Sequence, residues 1–243
     1  MTNPKARPHV IIIGGSSGIG KELVLKFSKN NNVSVLARRI DRLEDLAANS
    51  TNVNAVPCDV NSFDEFRAAI DQSVLVFGKI NVMIYCAGQQ IIKPHRLMTE
   101  HDIDSLYNVN LRGALLAAKM FCSVKVSEKD AVYCCISSIA GANPEPGIVG
   151  YSCMKAALDA MIFGLAKESA PRRFVGVAPG WLDTEMTQGQ SVYNEKFKAV
   201  LEKQSPLGIT SIENVVDAVV FMVSDQASAV TGVILPVDSG ISA

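Results

Sequence analysis

The 243-residue chain has no excess of either charge: 23 Lys and Arg stand against 24 Asp and Glu, a formal charge of −1. Nucleic-acid binders normally carry a basic excess or stripe, so that partner class is excluded from the reading. Long apolar runs are also missing. Runs such as Val10–Ile13 and Val132–Ile136 hold four or five residues, where a membrane-spanning helix needs about 20. The amino terminus, Met1–Pro8, has two positive charges and no apolar stretch behind it long enough for a signal peptide. Histidine is scarce, and His9, His95 and His101 are not spaced as a ligand set. The six cysteines, Cys58, Cys86, Cys122, Cys134, Cys135 and Cys153, form no C-x-x-C pair. Scattered through apolar segments, they suit small core positions in a reducing compartment. These absences predict a soluble, cytoplasmic, metal-free protein with no membrane partner.

What is present is core-forming material, 48% apolar against 19% charged. Short β-branched runs predict strands at Val10–Ile13, Val33–Ala37, Asn54–Cys58, Val82–Cys86, Ala131–Ser137, Phe174–Ala178 and Val233–Pro236. Helical patterns lie between them at Ile19–Asn30, Arg39–Ala48, Ser62–Phe77, Thr99–Ser127 and Gly150–Ala170. The strands read as continuous apolar runs, which two covered faces require. The alternation therefore predicts a doubly wound parallel α/β sheet of Rossmann type, in one domain spanning residues 1–243. After Pro179 the pattern breaks. Residues 180–211 carry a helical stretch near Tyr193–Lys203 but no strand, the signature of a substrate lid.

Three local patterns carry chemistry. Gly14-Gly15-Ser16-Ser17-Gly18-Ile19-Gly20 follows the first strand and opens a helix. That placement suits close approach of the backbone to a pyrophosphate at a helix amino terminus. Arg38 and Arg39 follow the second strand, with no acid across Val35–Arg39. At this strand end an acid would bond a ribose 2′-hydroxyl and an arginine a 2′-phosphate, so NADP is favoured over NAD. Asp41 is a competitor for one of the arginines. Tyr151 and Lys155 share a helix face at i, i+4 spacing. A free tyrosine is a poor acid–base catalyst at neutral pH, and a neighbouring ammonium favours its phenolate. The helix opens one loop after Ser137-Ser138, so a hydroxyl from a strand end can lie beside the phenol.

Together these residues resemble the short-chain dehydrogenase/reductase family of the single-domain type, and the match runs end to end. The family's Thr-Gly-x-x-x-Gly-x-Gly is matched by Ile13–Gly20 except at its first position, and its adenine-contacting Asp-Val by Asp59-Val60. Its Asn-Asn-Ala-Gly appears as Tyr85-Cys86-Ala87-Gly88, its helix asparagine as Asn110, and its Pro-Gly-x-x-x-Thr as Pro179-Gly180 through Thr184. Its late Val-Asp-Gly-Gly appears as Val237-Asp238-Ser239-Gly240. The usual spacing to the tyrosine selects Ser138 over Ser137.

The resemblance implies a hydride-transferring oxidoreductase acting on a small carbonyl or secondary alcohol. In it Tyr151 is the acid/base, Ser138 orients the carbonyl, Lys155 supports the tyrosine and the nicotinamide ribose, and Asn110 fixes a relay water. It also implies cofactor contacts from Gly14, Ser16, Ser17, Gly18, Ile19, Gly20, Arg38, Arg39, Asp59, Val60, Ala87, Gly88, Pro179, Gly180, Leu182 and Thr184. Its nearest look is to 3-oxoacyl-carrier-protein reductase-like members. The alternatives are an NAD-dependent polyol, steroid or sugar-alcohol dehydrogenase with the same site, and a dinucleotide sensor without turnover. Ile13 and Cys86, standing where the family's Thr and Asn stitch strands together, predict a looser central sheet. A homo-oligomer, a tetramer as in the family, is expected from Leu115, Leu116 and Met120 on one helix and Ala157, Met161 and Leu165 on another. Arg172, Arg173, Lys125 and Lys129 form either a docking patch for an acidic carrier protein or a solvated face.

Overall fold

A strand made of four consecutive branched apolar residues needs cover on both sides, and Val10, Ile11, Ile12 and Ile13 all have it. The computed structural model describes residues 7–48, 50–188 and 194–243. Strands β1 (His9–Ile13), β2 (Asn32–Ala37), β3 (Val53–Pro57), β4 (Ile80–Tyr85), β5 (Ser127–Ile136), β6 (Arg173–Pro179) and β7 (Val233–Val237) form one sheet. Their order is β3-β2-β1-β4-β5-β6-β7, and each adjacent pair is parallel. Among the helices are α1 (Gly18–Phe27), α2 (Ile40–Ala47), α3 (Phe63–Phe77), α4 (Glu100–Tyr107), α5 (Gly113–Phe121) and α6 (Val149–Glu168). Then come α7 (Glu185–Gln188), α8 (Glu195–Gln204) and α9 (Ile212–Val223).

The period of two along each strand divides the core. Ile11, Ile13, Met83, Tyr133 and Cys135 pack with α3, α5 and α6 on one face. Val10, Ile12, Val35, Cys134 and Val175 pack with α1, α2 and α9 on the other. Adjacent Cys134 and Cys135 thus serve opposite cores, and both are free thiols. The strand order reverses between β1 and β4, which opens a crevice at their carboxyl ends.

Two sequence expectations are corrected. The predicted helix Thr99–Ser127 is broken: α4 ends at Tyr107, a π-helical turn occupies Asn108–Arg112, and α5 ends at Phe121. Strand β5 starts at Ser127, so Lys125 and Lys129 flank a strand start, not a helix end. Helix α9 was not expected. Its signal was present in Ser211, which caps Asn214 reciprocally in a capping box, followed by buried Val215, Val216, Val219, Met222 and Val223 at helical spacing.

Run length alone also understates α6, which has the length and hydropathy of a membrane span. It is a core helix here, with Lys155 buried and Leu158 and Ile162 in the sheet core. Of the apolar residues read on more than one face of α5 and α6, Met161 is buried and Leu116, Met120 and Leu165 pack against the core, while Leu115 is exposed. Phe163, not named from the sequence, is exposed as well.

Candidate active site

Chain reversal after β1 brings the glycine turn under the end of β4. Gly14 has φ of +88°, and a Cβ there would lie 2.5 Å from the Ala87 amide nitrogen. At Gly20 a Cβ would lie 2.4 Å from the Gly14 carbonyl oxygen. No larger residue fits either position. Helix α1 then starts at Gly18, with Ser17 as its N-cap. The Ser17 side chain makes no capping bond, and the first turn holds no acid. Its free N–H groups and partial positive charge are thus available to an anion, and this cradle fits a dinucleotide pyrophosphate.

A cavity of about 310 Å3 runs along the crevice. It is lined by Gly14, Ser16, Ser17, Gly18, Ile19, Gly20, Arg38, Arg39, Asp59, Val60, Ala87 and Gly88. Ser138, Tyr151, Lys155, Pro179, Gly180, Leu182 and Thr184 complete the expected set. Asn110 is the exception, lying fully buried behind the wall. Its Nδ2 donates to the Gln89 and Leu106 carbonyls, each at 3.0 Å, and its Oδ1 accepts from the Gln89 amide at 3.2 Å. The Leu106 carbonyl that Asn110 takes up lies just before the π-turn at Asn108–Arg112. Tyr85 adds a second clamp, its hydroxyl donating to the Val109 carbonyl at 2.6 Å. Gly113 is required beneath it, since a Cβ there would meet the Tyr85 hydroxyl at 2.2 Å.

At the reacting end, Lys155 Nζ is buried, donates to the Ile136 carbonyl at 2.8 Å and stands 5.5 Å from the Tyr151 ring centre. The two serines differ in their surroundings. The Ser137 hydroxyl is buried and donates to Asp159 Oδ1. Ser138 is half-buried, and its Oγ accepts from the Ala140 amide at 3.2 Å. Burial lifts the Asp159 carboxyl above its ordinary range, with the Ser137 hydroxyl and Lys155 ammonium opposing. Cys86 also lines the cavity, but burial pushes its thiol up, against the nearby Lys155, so it stays protonated.

The departures at Ile13 and Cys86 do not open the sheet. The Cys86 amide donates to the Ile13 carbonyl at 2.8 Å, and the Gly14 amide to the Leu36 carbonyl at 2.7 Å. Backbone bonds close the junction where side chains were expected to. The competitor for Arg39 is Glu185, at 3.1 Å, in place of the expected Asp41, and Glu185 also binds Arg42 at 2.7 Å. Sequence reading missed Glu185 and Arg42. Their separation of 143 residues leaves no local signal.

Arg173 is corrected as a docking residue. Its guanidinium donates to the Met222, Ser224 and Val230 carbonyls, capping the end of α9. It opens β6, so it lies at the amino edge of the sheet, away from the cavity. Within residues 180–211, Trp181 meets Phe197 of α8 edge to face at 4.8 Å, and Lys198 pairs with Asp183 at 3.7 Å. Gly189, Val192 and Tyr193 of the expected lid lie outside the described residues.

Comparison with known proteins agrees with this geometry. Residues 14–242 match the family model described as enoyl-(acyl carrier protein) reductase. The chain is 30% identical to the 3-oxoacyl-[acyl-carrier-protein] reductase of Thermotoga maritima, over 95% of this chain and 96% of that protein. It is 29% identical to 4-formylbenzenesulfonate dehydrogenase of Comamonas testosteroni, again over 95% and 96%. A crystal structure of 3-ketoacyl-(acyl-carrier-protein) reductase from Brucella melitensis, complexed with NADH, superposes with a TM-score of 0.88. It has 25% identity and covers 97% of this chain and 98% of its own. With the crevice, the glycine cradle and the Ser138–Tyr151–Lys155 grouping already in place, the chain belongs to the short-chain dehydrogenase/reductase family, single-domain oxidoreductases of CH–OH and carbonyl groups, and is of the 3-oxoacyl-carrier-protein reductase-like type.

Proposed function

We propose that the protein interconverts a small carbonyl compound and its secondary alcohol with NADP(H), Tyr151 giving and taking the proton. The observation that carries this reading is that Tyr151, Ser138 and Lys155 line the same cavity as the glycine cradle. The Brucella neighbour's NADH supports a nicotinamide cofactor, and Arg38 and Arg39 at the end of β2 support its 2′-phosphorylated form. Gly14–Gly20 and the start of α1 would hold the pyrophosphate, with Asp59 and Val60 at the adenine, and Ala87, Gly88, Pro179, Gly180, Leu182 and Thr184 along the rest.

The nicotinamide, when bound, supplies or accepts the hydride. Ser138 donates to the substrate oxygen and fixes the carbonyl within reach of the Tyr151 hydroxyl. Tyr151 delivers its proton to that oxygen, and the resulting phenolate is stabilised by the Lys155 ammonium, itself held in place by the Ile136 carbonyl. A Cβ on Gly88 would lie 3.1 Å from Asn110 Oδ1 and 3.8 Å from Lys155 Nζ. Both groups therefore adjoin Gly88, where a water held by Asn110 would return protons to Lys155. The protein works as a cytoplasmic homotetramer on a freely diffusing substrate.

The NADH of the Brucella neighbour favours one other reading, an NAD(H)-dependent alcohol dehydrogenase with the same site. Dissociation constants for NADPH and NADH separate the two. Tyr151→Phe tests the chemistry. The ring still packs and only the transferable proton is lost, so kcat should fall about 10²- to 10⁴-fold with cofactor affinity unchanged. A variant that keeps wild-type kcat overturns the assignment.

A further inference from the structure

Glu185 is the first residue of α7, and its carboxylate bridges to two arginines from the β2–α2 side of the crevice. Arg39 Nη1 lies 3.1 Å from Oε2, and Arg42 Nη1 lies 2.7 Å from Oε1 and 2.9 Å from Oε2. Arg39 is anchored independently of that bridge. Its Nη2 donates to Ser16 Oγ at 2.9 Å and Ser17 Oγ at 2.6 Å, and its Nε to Ser16 Oγ at 3.2 Å. Two guanidinium groups and two hydroxyls therefore converge at one rim of the cavity, and Ser16, Ser17, Arg39 and Glu185 all line it.

That donor set exceeds what one carboxylate can use. Glu185 brings a single negative charge and two oxygens. A phosphate monoester brings close to two charges and three acceptor oxygens, the better match for paired guanidinium groups. The three side chains are about half exposed, at 42% for Arg39, 38% for Arg42 and 55% for Glu185. Bridges so exposed to water are weak and readily exchanged.

We infer that Arg42 joins Arg39 in recognising the cofactor's 2′-phosphate, and that Glu185 is an internal anion competing for the same two arginines. Glu185 therefore sets how strongly the protein discriminates NADPH from NADH. The identity of the ligand rests on the NADP(H) reading above, whereas the competition rests on the ion pairs themselves. Exchange of the Glu185 carboxylate for a 2′-phosphate would leave the Arg39–serine bonds in place, because they use Nη2 and Nε rather than Nη1.

The test is calorimetric titration of the whole protein with adenosine 2′,5′-bisphosphate and with 5′-AMP, which differ only in the 2′-phosphate. Glu185→Gln should tighten the bisphosphate about two- to tenfold and leave 5′-AMP unchanged. Arg42→Ala should weaken the bisphosphate by a similar factor, again without effect on 5′-AMP. Unchanged thermal midpoints establish that both variants keep the fold. An unaltered bisphosphate affinity in Glu185→Gln overturns the inference. So does an equal shift for both probes, or weakening of 5′-AMP alone, which would make Glu185 an acceptor for the ribose hydroxyl. The NADP(H) reading fails separately. If the unmodified protein binds both probes equally while Glu185→Gln still tightens the bisphosphate alone, the competition stands and the cofactor assignment falls.

Discussion

His9 shows how far one side chain's environment can lie from what its neighbours in sequence suggest. It opens β1 with only 1% of its surface exposed, Nδ1 2.8 Å from the Gly78 carbonyl oxygen and Nε2 2.9 Å from Ser34 Oγ. Burial pushes the imidazole down to about 4 from 6.5, the bond to Gly78 opposing. The unfolded chain takes up a proton near 6.5 while the folded chain resists until about 4. The unfolded state thus binds more protons across that window, and stability is lost as pH falls through it. Between these two pH values, denaturant unfolding of the native protein should lose about 3 kcal/mol more than that of His9→Gln. Parallel pH profiles would contradict this. The sequence told only that His9 had no partners spaced as metal ligands. At the site, by contrast, Tyr151 with Lys155 and the Gly14–Gly20 turn were legible because their spacing is local. Glu185 was not, since it meets Arg39 from 146 residues away.

Elements were legible where one period ran uninterrupted. The seven strands fall within a few residues of their apolar runs, the central ones because they are covered on both faces and the edge strands β3 and β7 with only partial cover. The π-turn at Asn108–Arg112 was not legible: apolar spacing continues through it, and only the side-chain bonds of Asn110 and Tyr85 reveal the break. Asn110→Ala would leave the Gln89 amide and carbonyl and the Leu106 carbonyl without their partner in a buried site. A loss of about 2–4 kcal/mol is expected, read as a lower thermal midpoint together with reduced kcat. Retained stability would remove Asn110 as the pin of this turn.

Helix α8 poses the remaining question of this scale. Leu201 is buried and Phe197 rests on Trp181, which fixes the helix to the cavity rim, while Val200 and Leu207 are exposed. Gly208, with φ of +79° and open space around it, supplies a pivot at the far end. As a lid, residues 194–204 should exchange amide hydrogens more slowly with cofactor and substrate analogue both bound than in the free protein. Equal rates would make α8 a fixed wall.

Helices α1, α3, α5, α6 and α9 each bury one face against the sheet, and α4, α5 and α6 leave apolar side chains outside. Ile103, Leu115, Val149 and Phe163 are each between 39% and 45% exposed. One such residue is ordinary on any surface, but four on helices of the same side of the sheet call for cover. Sequence periodicity anticipated apolar residues on more than one face of these helices, and of those it named Met161 and Leu116 turn toward the core while Leu115 stays outside. Periodicity gives the width of an apolar stripe, whereas the sheet decides which edge of it is covered. A second copy is the natural cover, since closed symmetry lets one patch serve both partners. Pairing through this patch alone would give about 52 kDa by light scattering at micromolar concentration, and the proposed tetramer, four copies of the 26.0 kDa chain, about 104 kDa. Phe163→Asp places a charge on this face, where pairing would strip it of water. That variant should shift the mass toward smaller species while its circular dichroism stays native. A native protein that scatters as a single 26.0 kDa chain would mean that this face meets water alone.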